Sequence, residues 1–229
     1  MVWGKFVWVI RASGLVNKTI GRFGMQGKHS IREVDGVIFT HTHADHIVGN
    51  FHVPIMMEYY HDKDLLFFTD NFTRKGIEKM WWFQYDPAVN AQFYGPRRPI
   101  WVEFQSYQKF KIKDLEILPI PQDHGSMTSY GLRVGNFCYS TDLNKIPDKS
   151  FQFLDGLDVW LIECDSINPS SSHSHLEKTL GWIDRVNPKK AILTHLDHTI
   201  DYDEVSRILP ANVSLAYDDQ IIELENLDG

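Results

Sequence analysis

The sequence predicts an α+β chain whose sheets are covered by helices, and three observations carry that expectation. Short β-rich runs alternate with helical periods through the second half of the 229 residues. In the middle, a Gly-Asn pair separates two apolar runs, as a tight hairpin requires. Polar groups able to hold metal or move protons fall where the predicted strands end, on the loops that a rigid sheet positions.

The first predicted strand covers residues 34–40, with Asp35-Gly36 interrupting it and β-branched residues frequent from Val37 onward. A helix is expected over residues 71–83, apolar at Phe72, Ile77, Met80 and Trp81. Residues 115–120 read as a strand, and residues 130–134 and 137–141 as two strands joined by Gly135-Asn136. After a strand at 158–162, Ser174-His175-Leu176-Glu177 has the form of a capping box. Leu176, Leu180, Ile183 and Val186 then recur at helical spacing until Pro188 stops the run. Strands at 190–194, 213–217 and 221–224 complete the pattern. With no internal repeat and no low-complexity linker, residues 1–229 are expected to form a single domain.

Composition narrows the function. An apolar fraction of 43% and a charged fraction of 23% belong to a globular chain able to bury a core. A net charge of −7 disfavours an extended surface for tracking nucleic-acid phosphates, but leaves room for a site that binds one phosphate group. Cys138 and Cys164 have no C-x-x-C spacing, which argues against a zinc knuckle or a disulfide framework and suits a cytoplasmic location. No run approaches the roughly 18 apolar residues of a membrane span. Residues 1–10 lack the basic start and cleavage site of a leader.

The chemistry-bearing residues stand at four strand ends. His41-Thr42-His43-Ala44-Asp45-His46 follows the first strand, Asp142 follows residues 137–141, and His195 follows residues 190–194. Asp123-His124-Gly125 comes two residues after the strand at 115–120. His41 and His43, two apart in extended chain, project to one side and can hold one ion. Asp45 and His46 lie beyond, where the chain turns, and can face a second. Imidazole and carboxylate without thiolate suit zinc, manganese or iron.

Taken together, H-x-H-x-D-H at His41, His43, Asp45 and His46, then Gln122-Asp123-His124-Gly125, Ser140-Thr141-Asp142 and Leu193-Thr194-His195, resemble the metallo-β-lactamase-fold hydrolases. The resemblance runs from about residue 31 to the C-terminus. It implies an αββα sandwich, with two mixed sheets flanked by helices. By that likeness His41, His43 and His124 hold one ion, Asp45, His46 and His195 the second, and Asp142 bridges them. Ser172-His173-Ser174-His175-Leu176 with its following helix, and Leu215-Ala216-Tyr217-Asp218, resemble the PhnP-type phosphodiesterase branch, relatives of ribonuclease Z. There a loop histidine serves as an acid or a phosphate contact. His173 and His175 are the matching positions, with His175 favoured, and the sequence does not choose between them.

Two divalent ions set against Asp45, Asp142 and a bridging hydroxide would leave a net charge of about +1, attractive to an anion. Ions roughly 3.5–4 Å apart can lower the pKa of a bound water and clamp the attacking and leaving oxygens. The expected activity is therefore hydrolysis of a small or cyclic phosphodiester by a dinuclear-metal-activated water. Asp45 would orient the nucleophile, and His173 or His175 would protonate the leaving group. A ribonuclease Z-like nuclease is the nearest alternative, though Lys109, Lys111 and Lys113 read as the wet face of a strand rather than an RNA track. A thioesterase or lactonase would need an acyl pocket, which Trp81-Trp82-Phe83-Gln84-Tyr85 could line.

The N-terminal part departs from the family. Residues 1–28 are atypical, and the Asp motif that usually precedes the metal-site strand is replaced at best by Leu15-Val16-Asn17. A shortened first hairpin is expected, with dimerisation one way to cover the exposed edge. It also raises a reading from another class, a metal-binding protein with weak catalysis.

Overall fold

The structure, a computed structural model, describes residues 36–47, 66–89, 100–217, 220, 222 and 224. Residues 1–28, expected to depart from the family, with Leu15-Val16-Asn17 among them, and Asp218 lie outside the described residues, as do residues 221 and 223 of the strand expected at 221–224. The chain divides into two compact units, Met1–Gln105 and Ser106–Gly229.

In the first unit, three parallel strands make a sheet in the order β1 (Gly36–Ile38), β2 (Leu66–Thr69), β3 (Ile100–Glu103). Gly36 pairs with Leu66 and Leu66 with Ile100. Of the strand expected at 34–40, residues 36–40 are described, and 36–38 form β1. Phe39, Phe67, Ile77 and Trp81 form an apolar cluster with Ile47, and Phe39 meets Phe67 edge to face at 5.1 Å.

Ile47 ends a one-turn helix, α1 (Ala44–Ile47), that also buries His46. Asp70 starts α2 (Asn71–Met80) by accepting the N–H groups of Phe72 and Thr73, which the first turn leaves without helical partners. The helix expected over 71–83 is interrupted at Trp81, whose φ of −114° and ψ of 42° leave the helical region, and resumes as α3 (Trp82–Tyr85). Trp81 is buried and Trp82 exposed on either side of that break. Of the four apolar residues expected on the helix, Ile77 and Trp81 reach the core, while Phe72 and Met80 face solvent.

The second unit is a seven-stranded mixed sheet. Its order is β10 (Val213–Leu215), β9 (Lys190–Thr194), β8 (Val159–Glu163), β7 (Phe137–Ser140), β6 (Met127–Val134), β5 (Leu115–His124), β4 (Phe110–Ile112). Strands β7 to β10 run parallel and β4 to β7 antiparallel. Parallel neighbours need crossovers, and α4 (Asp148–Phe151), α5 (Leu176–Val186) and α6 (Tyr202–Ile208) lie in those connections. Trp160, Ile162, Ala191 and Leu193 carry the strands' contribution to the core, and Leu176, Ile183 and Val205 close over it from the helices. Each fully buried Leu or Ile contributes about 1.5–3 kcal/mol.

The hairpin at Gly135-Asn136 forms, with Val134 opposite Phe137 and Gly135 at φ 52°. Strand β5 runs four residues past its expected end, because a second two-residue hairpin at Gly125-Ser126 carries the pairing through His124↔Met127. Pro119 and Pro121 are accommodated because β4 pairs only with residues 115–117, leaving the other edge of β5 without a ladder there. The capping box expected at Ser174 and Glu177 does not form. His175 is the N-cap of α5, and the Ser174 hydroxyl instead donates to the Glu163 carbonyl at 3.0 Å. A competing tertiary acceptor has drawn it away from the helix end.

Candidate metal and catalytic centre

In the first unit, the chain leaves β1 and turns into α1, gathering three imidazoles. The His41 ring lies 4.9 Å from that of His43 and 4.3 Å from that of His46, between centroids. His41 and His46 are buried, while Asp45 is about half exposed with its Oδ2 3.3 Å from His46 Nε2. The His46 N–H donates to the His43 carbonyl at 3.0 Å, which tightens the bend between them. Inside this turn Gly76 of α2 lies so close that a Cβ there would sit 2.6 Å from the Thr42 methyl.

In the second unit, β5, β7 and β9 deliver His124, Asp142 and His195 from their C-terminal ends. His124 Nδ1 lies 2.6 Å from the Ser172 carbonyl; since a carbonyl only accepts, Nδ1 carries the hydrogen and Nε2 offers the lone pair. That Nε2 faces Asp142 Oδ2 at 3.9 Å. The other carboxylate oxygen, Oδ1, faces His195 Nε2 at 3.4 Å. The Thr141 hydroxyl donates to the same Oδ1 at 2.5 Å.

Asp142 and His195 hold left-handed backbone conformations, φ 44° and 59°, that side chains with a Cβ adopt at a cost. At Asp142 the neighbours enforce it. Ser129 donates to the Asp142 carbonyl at 2.6 Å, and the buried Gln122 amide donates to the Thr141 carbonyl at 2.9 Å.

His173 joins this group from the loop before α5. Its ring stacks on His195 at 5.3 Å and 15°, and meets His124 edge-on at 4.7 Å. Nδ1 is hydrogen-bonded to Glu163 Oε1. Glu163 has no exposed surface, and its Oε2 also accepts the Leu143 N–H at 2.6 Å. Burial pushes the Glu163 carboxyl up, against the pull of the His173 hydrogen bond, with the Asp142 charge adding to the rise. For His173, burial disfavours the charged ring, but the Glu163 hydrogen bond and charge outweigh it and raise the pKa above 6.5.

His195 Nδ1 faces Glu163 at 3.5 Å and Asp165 at 3.6 Å, so carboxylates back the ring while Nε2 points at Asp142. One donor atom from each of Asp142, Glu163, His173 and His195 lies within 4.8 Å of the others. His175 stands apart from this set. It makes no side-chain cap bond, and its buried Nδ1 has no hydrogen-bond partner among the described residues.

These donors fit divalent ions. Two Nε2 atoms converge on the two oxygens of one carboxylate, and a cation beside Asp142 would meet nitrogen and oxygen together. Three residues that matter here were not singled out in the sequence: Glu163, Asp165 and Asn144. Glu163 was within reach, because it ends β8 as Asp142 follows β7 and His195 follows β9. Nothing local marks Asn144, whose partners lie 26 and 29 residues away.

Comparison with known proteins gives the fold its family. A model of the beta-lactamase superfamily domain matches residues 16–196, starting ahead of residue 31, where the motif resemblance begins. The chain belongs to this family. The fold is the metallo-β-lactamase fold, with two sheets flanked by helices.

An octanoyltransferase of Porphyromonas gingivalis (strain ATCC BAA-308 / W83) is 22% identical over 193 residues, or 82% of this chain. The chain spans only 37% of that relative's length. The anti-Pycsar protein Apyc1 of Paenibacillus harenae is 27% identical over 180 residues, 74% of this chain and 71% of that protein. Among solved structures, a diphosphatase from the PhnP family superposes with a TM-score of 0.79 at 23% identity, covering 94% of this chain and 79% of that one. For this metallo-β-lactamase-fold chain, no helix among the described residues is long and apolar enough to cross a membrane.

Proposed function

We propose that this protein is a metal-dependent phosphodiesterase acting on a small or cyclic phosphodiester. The observation that carries the reading is Asp142, whose two carboxylate oxygens each face a different histidine nitrogen, as a carboxylate shared by two ions would. By the family likeness His41, His43 and His124 would hold one divalent ion, Asp45, His46 and His195 the other, and Asp142 would serve both. Zinc or manganese suits these donors, and iron is compatible with them. When bound, such ions activate water and neutralise phosphate charge.

The chain's own residues do the rest. Asp45, about half exposed, would orient the attacking water and accept its proton. As the water oxygen bonds to phosphorus, the bond to the leaving oxygen breaks and its electron pair stays on that oxygen. His173 supplies the proton. Because Nδ1 is committed to Glu163, the proton that leaves is on Nε2, and Glu163 stabilises the ring in its charged form. His173 takes this role over His175 in the proposal because it touches both His124 and His195.

Burial of the thiols and the mixed-sheet fold are compatible with a cytoplasmic enzyme. The Lys109 ammonium is engaged by Glu116 at 2.5 Å, which supports reading that strand as a solvated face and favours a small substrate over tRNA. The test is turnover of bis-p-nitrophenyl phosphate and a nucleoside cyclic phosphodiester beside a thioester and a lactone, with zinc or manganese added. Metal-dependent cleavage of the phosphodiesters is expected. Turnover of the carbon esters alone would overturn the reading, and no turnover by folded, metal-loaded protein would favour a binding protein with weak catalysis.

A further inference from the structure

Besides Glu163, the loop that carries His173 is pinned by a residue with no part in metal binding or proton transfer. Asn144 follows Asp142 by two residues, and its side-chain amide donates to the Ser170 carbonyl at 2.8 Å and the His173 carbonyl at 3.1 Å. These two carbonyls flank Ser172, whose own carbonyl holds His124 Nδ1 at 2.6 Å. The backbone of Asn144 is itself fixed, since its N–H donates to the Asp123 carbonyl at 2.7 Å.

Lys178 of α5 sets the direction of the amide. Its ammonium donates to the Asn144 carbonyl at 2.8 Å and to Asn144 Oδ1 at 3.1 Å. An ammonium only donates, so the amide oxygen faces Lys178 and both N–H groups face the loop. Gly125 packs against the same loop, where a Cβ would approach Ser172 Cβ to 3.3 Å.

We infer that Asn144, oriented by Lys178, is a positioning residue that sets where the His173 ring meets the leaving group of the phosphodiester. The inference rests on the proposed function and deepens it. Glu163 fixes the proton on His173 Nδ1 and anchors the following residue through the Ser174 hydroxyl, while Asn144 holds the His173 carbonyl and the chain leading up to it. Without that hold the ring keeps its hydrogen bond and loses its place. A small displacement of an acid penalises only reactions whose leaving oxygen needs a proton. A ribose alkoxide needs it, whereas p-nitrophenolate departs without one.

The test compares wild type with Asn144→Ala and Lys178→Met on bis-p-nitrophenyl phosphate and on a nucleoside cyclic phosphodiester, with bound metal counted in each protein. The expected result is a loss of kcat on the cyclic substrate of about tenfold to a hundredfold in Asn144→Ala. A smaller loss of the same kind is expected in Lys178→Met, with aryl diester turnover and metal content within about twofold of wild type. Equal losses on both substrates, no loss on either, or loss of metal would overturn the positioning role. If Asn144→Ala does not fold, Lys178→Met decides by the same comparison. A wild type active only on the aryl diester overturns this inference and leaves the proposed function standing; one active on neither overturns both.

Discussion

Glu163 and His173 form a hydrogen-bonded pair in which the carboxylate is fully buried and the imidazole partly exposed. The same carboxylate stands 3.5 Å from His195 Nδ1, so one buried charge backs both a proposed proton donor and a proposed ligand. Removing that charge while keeping its shape is the most direct probe of the arrangement. Glu163→Gln is expected to lower kcat on the cyclic phosphodiester by about 10–100-fold, the usual loss when a supporting partner is removed. Steady-state kinetics with circular dichroism as the fold control checks it.

The two loop histidines separate cleanly by substitution. His173→Ala should cost about 10²–10⁴-fold on a substrate with an alkoxide leaving group, the contribution of a placed general acid. His175→Ala, at the cap of α5 and outside the histidine cluster, should stay within about threefold. Parallel kcat measurements on the two variants decide between them.

Metal removal has a defined outcome. Dialysis against a chelator should abolish turnover, and zinc or manganese should restore it. Asp142→Ala should not be restored by the same ions, because both histidine nitrogens that face its carboxylate lose it at once. Elemental analysis of the variant, expected to hold less metal than wild type, is the check beside activity.

Gly125 has a φ of 65°, and a Cβ there would lie 3.3 Å from Ser172 Cβ. Gly125→Ala therefore imposes a left-handed conformation on alanine, at about 1–2 kcal/mol. A fall in Tm of about 2–8 °C is expected by calorimetry.

Stability should also fall in alkali. Burial pushes the thiols of Cys138 and Cys164 from 9.0 to about 12. Below pH 9.0 both folded and unfolded chains hold these protons, so the thiols add no pH dependence. Between 9.0 and about 12 the unfolded chain releases them and the folded chain does not, so unfolding gains as pH rises. Urea midpoints measured at intervals from pH 8 to pH 11 should decline, and less steeply in a Cys138→Ala, Cys164→Ala variant. In the native protein at neutral pH, both thiols should resist a disulfide reagent that labels them in urea.

Much of the candidate site was legible because metal-ligand motifs are short-range patterns. H-x-H-x-D-H from His41 to His46 lies in one turn, and its clustering needs little beyond a strand that stops and a chain that bends. His124, Asp142 and His195 could be found singly, since each stands at the end of a strand whose β-rich run is visible. The hairpin at Gly135-Asn136 and the helix before Pro188 were equally local. Errors came where a partner from elsewhere intervened. Ser174 left the helix cap for the Glu163 carbonyl, 11 residues away, and β5 lengthened because β6 was there to pair with it.

The sequence by itself determined which of the candidate imidazoles and carboxylates stand where strands end, at His41 to His46, His124, Asp142 and His195. Only the tertiary structure decided which nitrogen of His124 is available, that Asp142 offers its two oxygens to two different rings, and that His173 rather than His175 meets them. The reason is physical. A ligand type is a property of one side chain and survives in a one-dimensional reading. Tautomer, orientation and the choice between neighbouring histidines depend on acceptors brought from other parts of the chain. Glu163, 10 residues before His173, and the Ser172 carbonyl, 48 residues after His124, supply them only once the sheet has formed.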